Sequence, residues 1–168
     1  MEPLIEISTA TPSDAGIISR IAERSIRLGC AAEHRNDPRI VAAWIRHNTL
    51  AHLQPLLLDP RLRLTLARLQ GRLVGTAMAS VSGRIAFCYV QPEWFRRGAG
   101  RALVRDIEGW LRGRGVVQVT LNSTRSSHGF YRHLGFRQSA EAFAIGGVTA
   151  IAMHKPLVEP AGESSIPE

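Results

Sequence analysis

The stretch Ile85–Val104, IAFCYVQPEWFRRGAGRALV, changes character twice within its length. Ile85–Val90 is β-rich, and Pro92, which has no backbone N–H to give a ladder, ends the strand. Gly98 and Gly100 then stand at the start of a helix. Glycine there permits positive φ and close backbone approach, while the first helical amides lack intrahelical partners. Arg96, Arg97 and Arg101 crowd the positive end of that helix dipole, where carboxylates are normally favoured. An anion held by the amides would offset the misplaced charges, and phosphate, ideally pyrophosphate, fits best. Chance clustering in an arginine-rich chain is the competing reading. Two common phosphate loops are excluded. No lysine followed by Ser or Thr completes GxxxxGK[ST], and Leu103 stands where GxGxxG needs its third glycine.

Outward from this stretch the pattern decides the fold. Leu103, Val104, Ile107, Trp110 and Leu111 form an amphipathic stripe, with Glu108 and Arg112 as an i,i+4 pair on the exposed face. Gly113 and Gly115 stop the helix. Val116–Leu121 is the next strand, and the short crossover makes it parallel to the strand before the helix. A helix around Ser127–Leu134 follows, stopped by Gly135. Phe136–Phe143 and Val148–His154 then make a hairpin around Gly146-Gly147. Upstream, Gln70-Gly71 and Ser82-Gly83 turn three β-rich segments into an antiparallel meander. In its first strand Leu62, Leu64 and Leu66 alternate with Arg63 and Thr65, which reads as half-buried. Leu4–Ile7 is a first strand. Thr11-Pro12-Ser13-Asp14 starts one helix and Asp37-Pro38 a second, ended by Pro55 and Asp59-Pro60. The order β-α-α-β-β-β-α-β-α-β-β predicts an α+β, three-layer αβα domain with a mixed, mostly antiparallel central sheet of about seven strands.

The 168 residues suit one domain, expected over 1–157, with 158–168 a disordered tail rich in Pro, Gly and Ser. The net charge is +7, and 20 of the 21 basic residues are arginines. Aromatic residues, 6% of the chain, are not interleaved with the arginines, and no recognition-helix motif appears. A basic nucleic-acid-binding domain is therefore the weaker reading of that charge. Cys30 and Cys88 cannot make a disulfide scaffold or a four-thiolate zinc site, the histidines show no HExxH and none pairs with a cysteine at finger spacing, and no metal is expected. Charged residues interrupt the first thirty positions, and no apolar run approaches the ~20 residues that span a bilayer. A cytoplasmic protein with no membrane or nucleic-acid partner is the expectation.

A second segment, Leu121–Phe136, LNSTRSSHGFYRHLGF, turns the anion cradle into a more specific expectation. Together with Ile85–Val104, at this separation, it resembles the two signature segments of the GCN5-related N-acetyltransferase (GNAT) superfamily, in its bacterial form. The element order matches from about Leu4 to Leu157, which implies the acyl-CoA N-acyltransferase fold and acetyl-CoA as co-substrate. The resemblance implies that Cys88, Tyr89 and Val90 lie beside the acetyl and pantetheine groups. The loop from Phe95 through Arg96, Arg97, Gly98, Ala99, Gly100, Arg101 and Ala102 would surround the pyrophosphate. Asn122, Ser123, Ser127 and Phe130 would complete the coenzyme A site. Two catalytic roles follow: the Val90 amide polarises the thioester carbonyl, and Tyr131 donates a proton to the departing thiolate.

Three positions depart from the family pattern. Phe95 replaces the usual Arg or Gln, leaving Arg96 or Arg97 to substitute for the lost contact. Ser127 replaces an alanine. Arg84–Val90 contains no carboxylate, so the general base is open among Glu93, Asp59, His47, His52 and His128. The implied function is acetyl transfer to a primary amine, small or protein-borne, by direct attack in a ternary complex. The alternative from another class is an acyl-CoA-binding sensor without catalysis. A homodimer is common in such folds, and no segment demands one.

Overall fold

The structure, a computed structural model, describes residues 4–157; the tail expected at 158–168 lies outside the described residues. Strands β1 (Ile5–Thr9), β2 (Leu62–Leu69), β3 (Arg72–Ser80) and β4 (Ile85–Val90) form an antiparallel sheet in chain order. A second sheet has the order β5 (Gln118–Ser123), β8 (Val148–Pro156), β6 (Arg137–Gln138), with β7 (Phe143–Ile145) also paired to β8. The expected strand Phe136–Phe143 is thus interrupted: β6 and β7 pair separately along β8. Eight strands result among the described residues, where about seven were expected.

The two sheets meet through a single parallel bridge, Arg84 with Thr120, where the Thr120 amide donates to Gly83 O at 2.8 Å. Beyond that point β4 and β5 pair no further, which leaves a gap between them. Register fixes which groups line it. The Gln91 amide donates to Val74 O at 2.8 Å, so the alternation of an antiparallel ladder makes Thr76–Tyr89 a hydrogen-bonded pair and Gly75–Val90 a non-bonded one. The backbone N–H and C=O of Cys88 and Val90 consequently point away from β3, into the gap.

Two apolar cores lie on the sheet's two faces. On one, α5 (Ala99–Arg112) buries Leu103, Val104, Ile107 and Leu111 against Ala67, Leu69, Val74 and Ala77. On the other, α1 (Ala15–Arg24) and α4 (Leu50–Leu56) cover Leu64 and Leu66 with Ile18, Ile21 and Leu53. Strand β2 is therefore buried on both faces rather than half-buried. Thr65 is fully covered, and Arg63 makes a two-pronged ion pair with Asp106 of α5, at 2.8 and 3.0 Å. Glu108 also departs from expectation. It is 4% exposed because Lys155 of β8 reaches it at 2.9 Å, with Arg112 farther off at 3.9 Å.

The expected second helix divides into α3 (Pro38–Ile45), a 3-10 turn and α4, and Pro55 sits inside α4 one residue before its end; the short α2 (Ala31–His34) lies ahead of it, where no separate helix was expected. Asp37 caps α3 by accepting the Arg39 amide at 2.9 Å, as its position before Pro38 suggests. A π-helical turn, Ser25–Gly29, precedes α2. No helix among the described residues is long and apolar enough to cross a membrane.

Candidate active site

The loop between β4 and α5 carries the most unusual backbone of the site. Arg96 has φ 64° and Gly98 has φ 91°, two left-handed residues separated by one. For Arg96 that conformation is strained, since its Cβ crowds the following carbonyl. None of the six amides from Arg96 to Arg101 donates to a backbone acceptor among the described residues. The Ala102 amide does, to Gly98 O at 3.0 Å, so the free donors end at Arg101 and Ala102 has no amide to offer a ligand. Successive left-handed turns that aim amides at one spot make a concave anion nest. The arginines stay outside: Arg96, Arg97 and Arg101 are exposed, and the Arg97 guanidinium sits 5.2 Å from the centre of the Trp94 ring.

A clamp that the sequence did not reveal holds this loop. Gln91 donates its side-chain amide to Leu73 O at 2.9 Å and accepts from Arg24, which also pairs with Glu93. Phe95, 48% exposed, packs its ring edge on Gly29 at the end of the π-helical turn. The position where the resemblance implied an Arg or Gln thus serves as a packing contact with the π-helical turn. Gly100 leaves room beside Phe130. A Cβ there would stand 2.9 Å from the Phe130 ring and 3.7 Å from Val90. The helix start, the end of β4 and the second signature segment converge at this point.

Tyr131 comes from α6 (His128–His133) and is buried, edge-on to Phe130 at 4.9 Å and to Phe136 at 5.6 Å. Burial raises its phenol well above the usual tyrosine range, with smaller contributions from Cys88 and Tyr89. Cys88 packs against the apolar cluster that contains Tyr131. Burial likewise pushes the Cys88 thiol up to about 12, so at neutral pH it is a protonated, small apolar wall. The Tyr89 side chain lies on the other face of β4, stacked on Phe87 at 5.2 Å, with its hydroxyl accepting from Trp44 Nε1 at 3.1 Å.

The remaining expected contacts divide. Ser123 is buried, and its hydroxyl donates to Thr124 O at 2.7 Å and lies 3.1 Å from that of Ser127. These serines tie the turn that starts α6 and are occupied with each other. Asn122 is exposed beside Thr120, opposite the buried side of β5, where it lines an open groove of about 500 Å³ with Arg84, Ser139 and His154. It stands apart from Tyr131.

Four of the five proposed bases lose their claim on geometry. Glu93 is held below the usual carboxylate range by the Arg24 hydrogen bond, and Asp59 by those of Arg61. His47 and His52 are exposed and face each other at 5.7 Å. His128 lies one turn before Tyr131, its Nε2 buried without a hydrogen-bond partner among the described residues.

Comparison with known proteins decides the family. The model of the acetyltransferase (GNAT) domain matches residues 34–157. The chain belongs to the GNAT family. Within it, similarity to individual members is distant. A putative acetyltransferase of Bacillus subtilis is 27% identical over 85 residues, covering 49% of this chain and 58% of that protein. Glucosamine 6-phosphate N-acetyltransferase of Trypanosoma brucei brucei is 34% identical over 77 residues, 40% of this chain and 52% of that protein. The chain thus spans little more than half the length of the curated relatives it matches. In three dimensions a GCN5-related N-acetyltransferase from Rhodopseudomonas palustris matches with TM-score 0.79 at 22% identity, covering 93% of this chain and 96% of that one. The PaiA N-acetyltransferase of Thermoplasma acidophilum, solved with coenzyme A, matches with TM-score 0.75 at 17% identity, over 91% and 99% of the two chains. The fold is that of the GNAT acyltransferases.

Proposed function

We propose that this chain transfers the acetyl group of acetyl-CoA to a primary amine by direct attack within a ternary complex. One observation carries the reading: six consecutive amides without backbone acceptors, at a helix start flanked by three arginines. That array suits a diphosphate. The gap between β4 and β5 offers unpaired strand edge to the pantetheine amides, and the absent side chain at Gly100 keeps the path open beside Phe130. A fold neighbour solved with coenzyme A supports the same ligand.

Acetyl-CoA supplies the activated thioester; the chain supplies position and polarity. The Val90 amide, aimed into the gap by the register of β3 and β4, donates to the carbonyl oxygen as negative charge develops there. Tyr131 gives its proton to the departing sulfur. A thiol of pKa ~8.5 leaves readily, so this help is moderate rather than indispensable. Cys88 is half-buried and its thiol is held protonated at neutral pH, which disfavours it as an acyl carrier.

The absence of a carboxylate on β4 favours one second reading, an acyl-CoA sensor without turnover. Thiol release from acetyl-CoA, measured across polyamines, aminoglycosides, amino acids and peptide N-termini, separates the two. Release above the hydrolytic background with any of these classes supports the transferase. Binding of acetyl-CoA with no release across all four supports the sensor.

A further inference from the structure

Strand β4 carries no carboxylate, so the carboxylates elsewhere in the fold bear on the acceptor's proton. Most carboxylates among the described residues are committed elsewhere. Glu23, Asp59, Glu93, Asp106 and Glu108 form ion pairs with Arg27, Arg61, Arg24, Arg63 and Lys155. Asp14 and Asp37 accept backbone amides at helix starts. Glu6 lies on β1, at the sheet edge remote from the gap, and Glu141 is exposed in the connection from β6 to β7. Glu33 of α2 is different: it forms no ion pair among the described residues and is half-buried.

Its position is fixed from both sides of the gap. The neighbouring His34 is fully buried, with Nε2 donating to Ile26 O at 2.7 Å and Nδ1 accepting the Asn36 amide at 3.0 Å. This single neutral tautomer pins α2 to the π-helical turn. The His34 ring also meets Trp44 edge-on at 6.2 Å, and Trp44 donates to Tyr89 of β4. Glu33 Oε2 in turn accepts the Ser126 hydroxyl at 2.7 Å, on the loop that joins β5 to the helix bearing Tyr131. Glu33 is thus linked to β4 through His34 and Trp44, and to the loop after β5 through Ser126, and both β4 and β5 border the gap. Its charge is felt at Cys30, whose thiol is raised to about 12 mainly by burial and secondarily by Glu33.

Building on the transferase reading, we infer that Glu33 receives the acceptor's ammonium group at the mouth of the gap and takes its first proton. The acceptor class is therefore a primary alkylammonium ion. One proton passes from R–NH3+ to the Glu33 carboxylate, directly or through one water, and then to solvent. The freed amine forms its N–C bond to the acetyl carbon while the C–S bond breaks. The second nitrogen proton replaces the one Tyr131 gives to sulfur, so the products are R–NH–acetyl, CoA–SH and one proton. Besides Cys30 and Ser126, the charged groups nearest in sequence are Arg35 and Arg125, both exposed.

The test compares Glu33→Gln, whose amide oxygen still accepts from Ser126, with Ser126→Ala, which keeps the charge. The probes are tyramine, spermidine and a lysine-bearing peptide. With any probe that is acetylated, Glu33→Gln lowers kcat/KM for the amine about 100-fold at pH 7, and the deficit shrinks as pH approaches the ammonium pKa. The KM for acetyl-CoA stays unchanged, and Ser126→Ala loses only a few-fold. Equal, pH-independent losses in the two variants would reduce Glu33 to a structural tie and overturn the inference. So would failure of the unaltered protein to acetylate any of the three amines while calorimetry still shows acetyl-CoA binding. Absence of acetyl-CoA binding would instead overturn the underlying transferase reading.

Discussion

Tyr131 and Cys88 pack in the same apolar cluster with opposite consequences for chemistry. Burial raises both, which keeps the phenol a proton donor and denies the thiol its nucleophilic form. Tyr131→Phe is expected to lower kcat about 10- to 100-fold while acetyl-CoA affinity changes less than about 2-fold, because the phenol acts on the leaving sulfur and not on the diphosphate. Since its pKa moves upward, the Tyr131 proton should impose no alkaline limb on kcat below about pH 10. Steady-state kinetics with a fixed amine acceptor reads both, and unchanged turnover in the variant would remove Tyr131 from the mechanism. At this scale much was legible. The glycines and arginines of residues 96–101 pointed to a helix start with free amides, and those amides have no backbone acceptor among the described residues. That the Ala102 amide is already used, or that Phe95 packs on Gly29, depends on atoms distant from the motif and had no signature within it.

Helix α5 shows where element-level reading succeeds and where it stops. Its stripe of Leu103, Val104, Ile107 and Leu111 follows from a 3.6-residue period, and each is buried as that period requires. Glu108 is one residue beyond the stripe and looks exposed by the same rule. It is buried because β8 brings Lys155 to it, a contact 47 residues away that no local pattern encodes. The Gln91–Arg24–Glu93 clamp was hidden for the same reason. Lys155→Met should leave the buried Glu108 carboxylate with only the distant Arg112. The expected loss is about 3 kcal/mol in urea unfolding, with Glu108→Gln in the same background recovering part of it. A Lys155→Met protein as stable as the parent would mean that Glu108 is solvated by other means.

Over the whole molecule, several acids titrate upward together. The thiols of Cys30 and Cys88 and the phenol of Tyr89 are each raised to about 12 by burial, and Tyr131 moves in the same direction. Groups raised in the folded state hold their protons longer than the unfolded chain does. Their stabilisation is fully present below the unfolded thiol value of ~8.5 and is lost as pH climbs toward the folded values. Thermal melts should therefore be flat from pH 6.5 to 8 and fall by several degrees between pH 8.5 and 11, with a shallower fall in Cys88→Ala. A slope unaffected by that substitution would assign the alkaline loss to other groups. The global +7 charge is mostly exposed arginine and says little by itself. Its informative share is the three residues at the nest.

The most direct test of the account is amide chemical-shift mapping of the protein titrated with acetyl-CoA. Saturable binding at low micromolar concentration should perturb the amides of Cys88–Val90 and Arg96–Arg101 most strongly, leaving those of the groove beside Asn122 and His154 nearly unmoved. Absence of binding, or perturbation centred on that groove with the helix start silent, would contradict it.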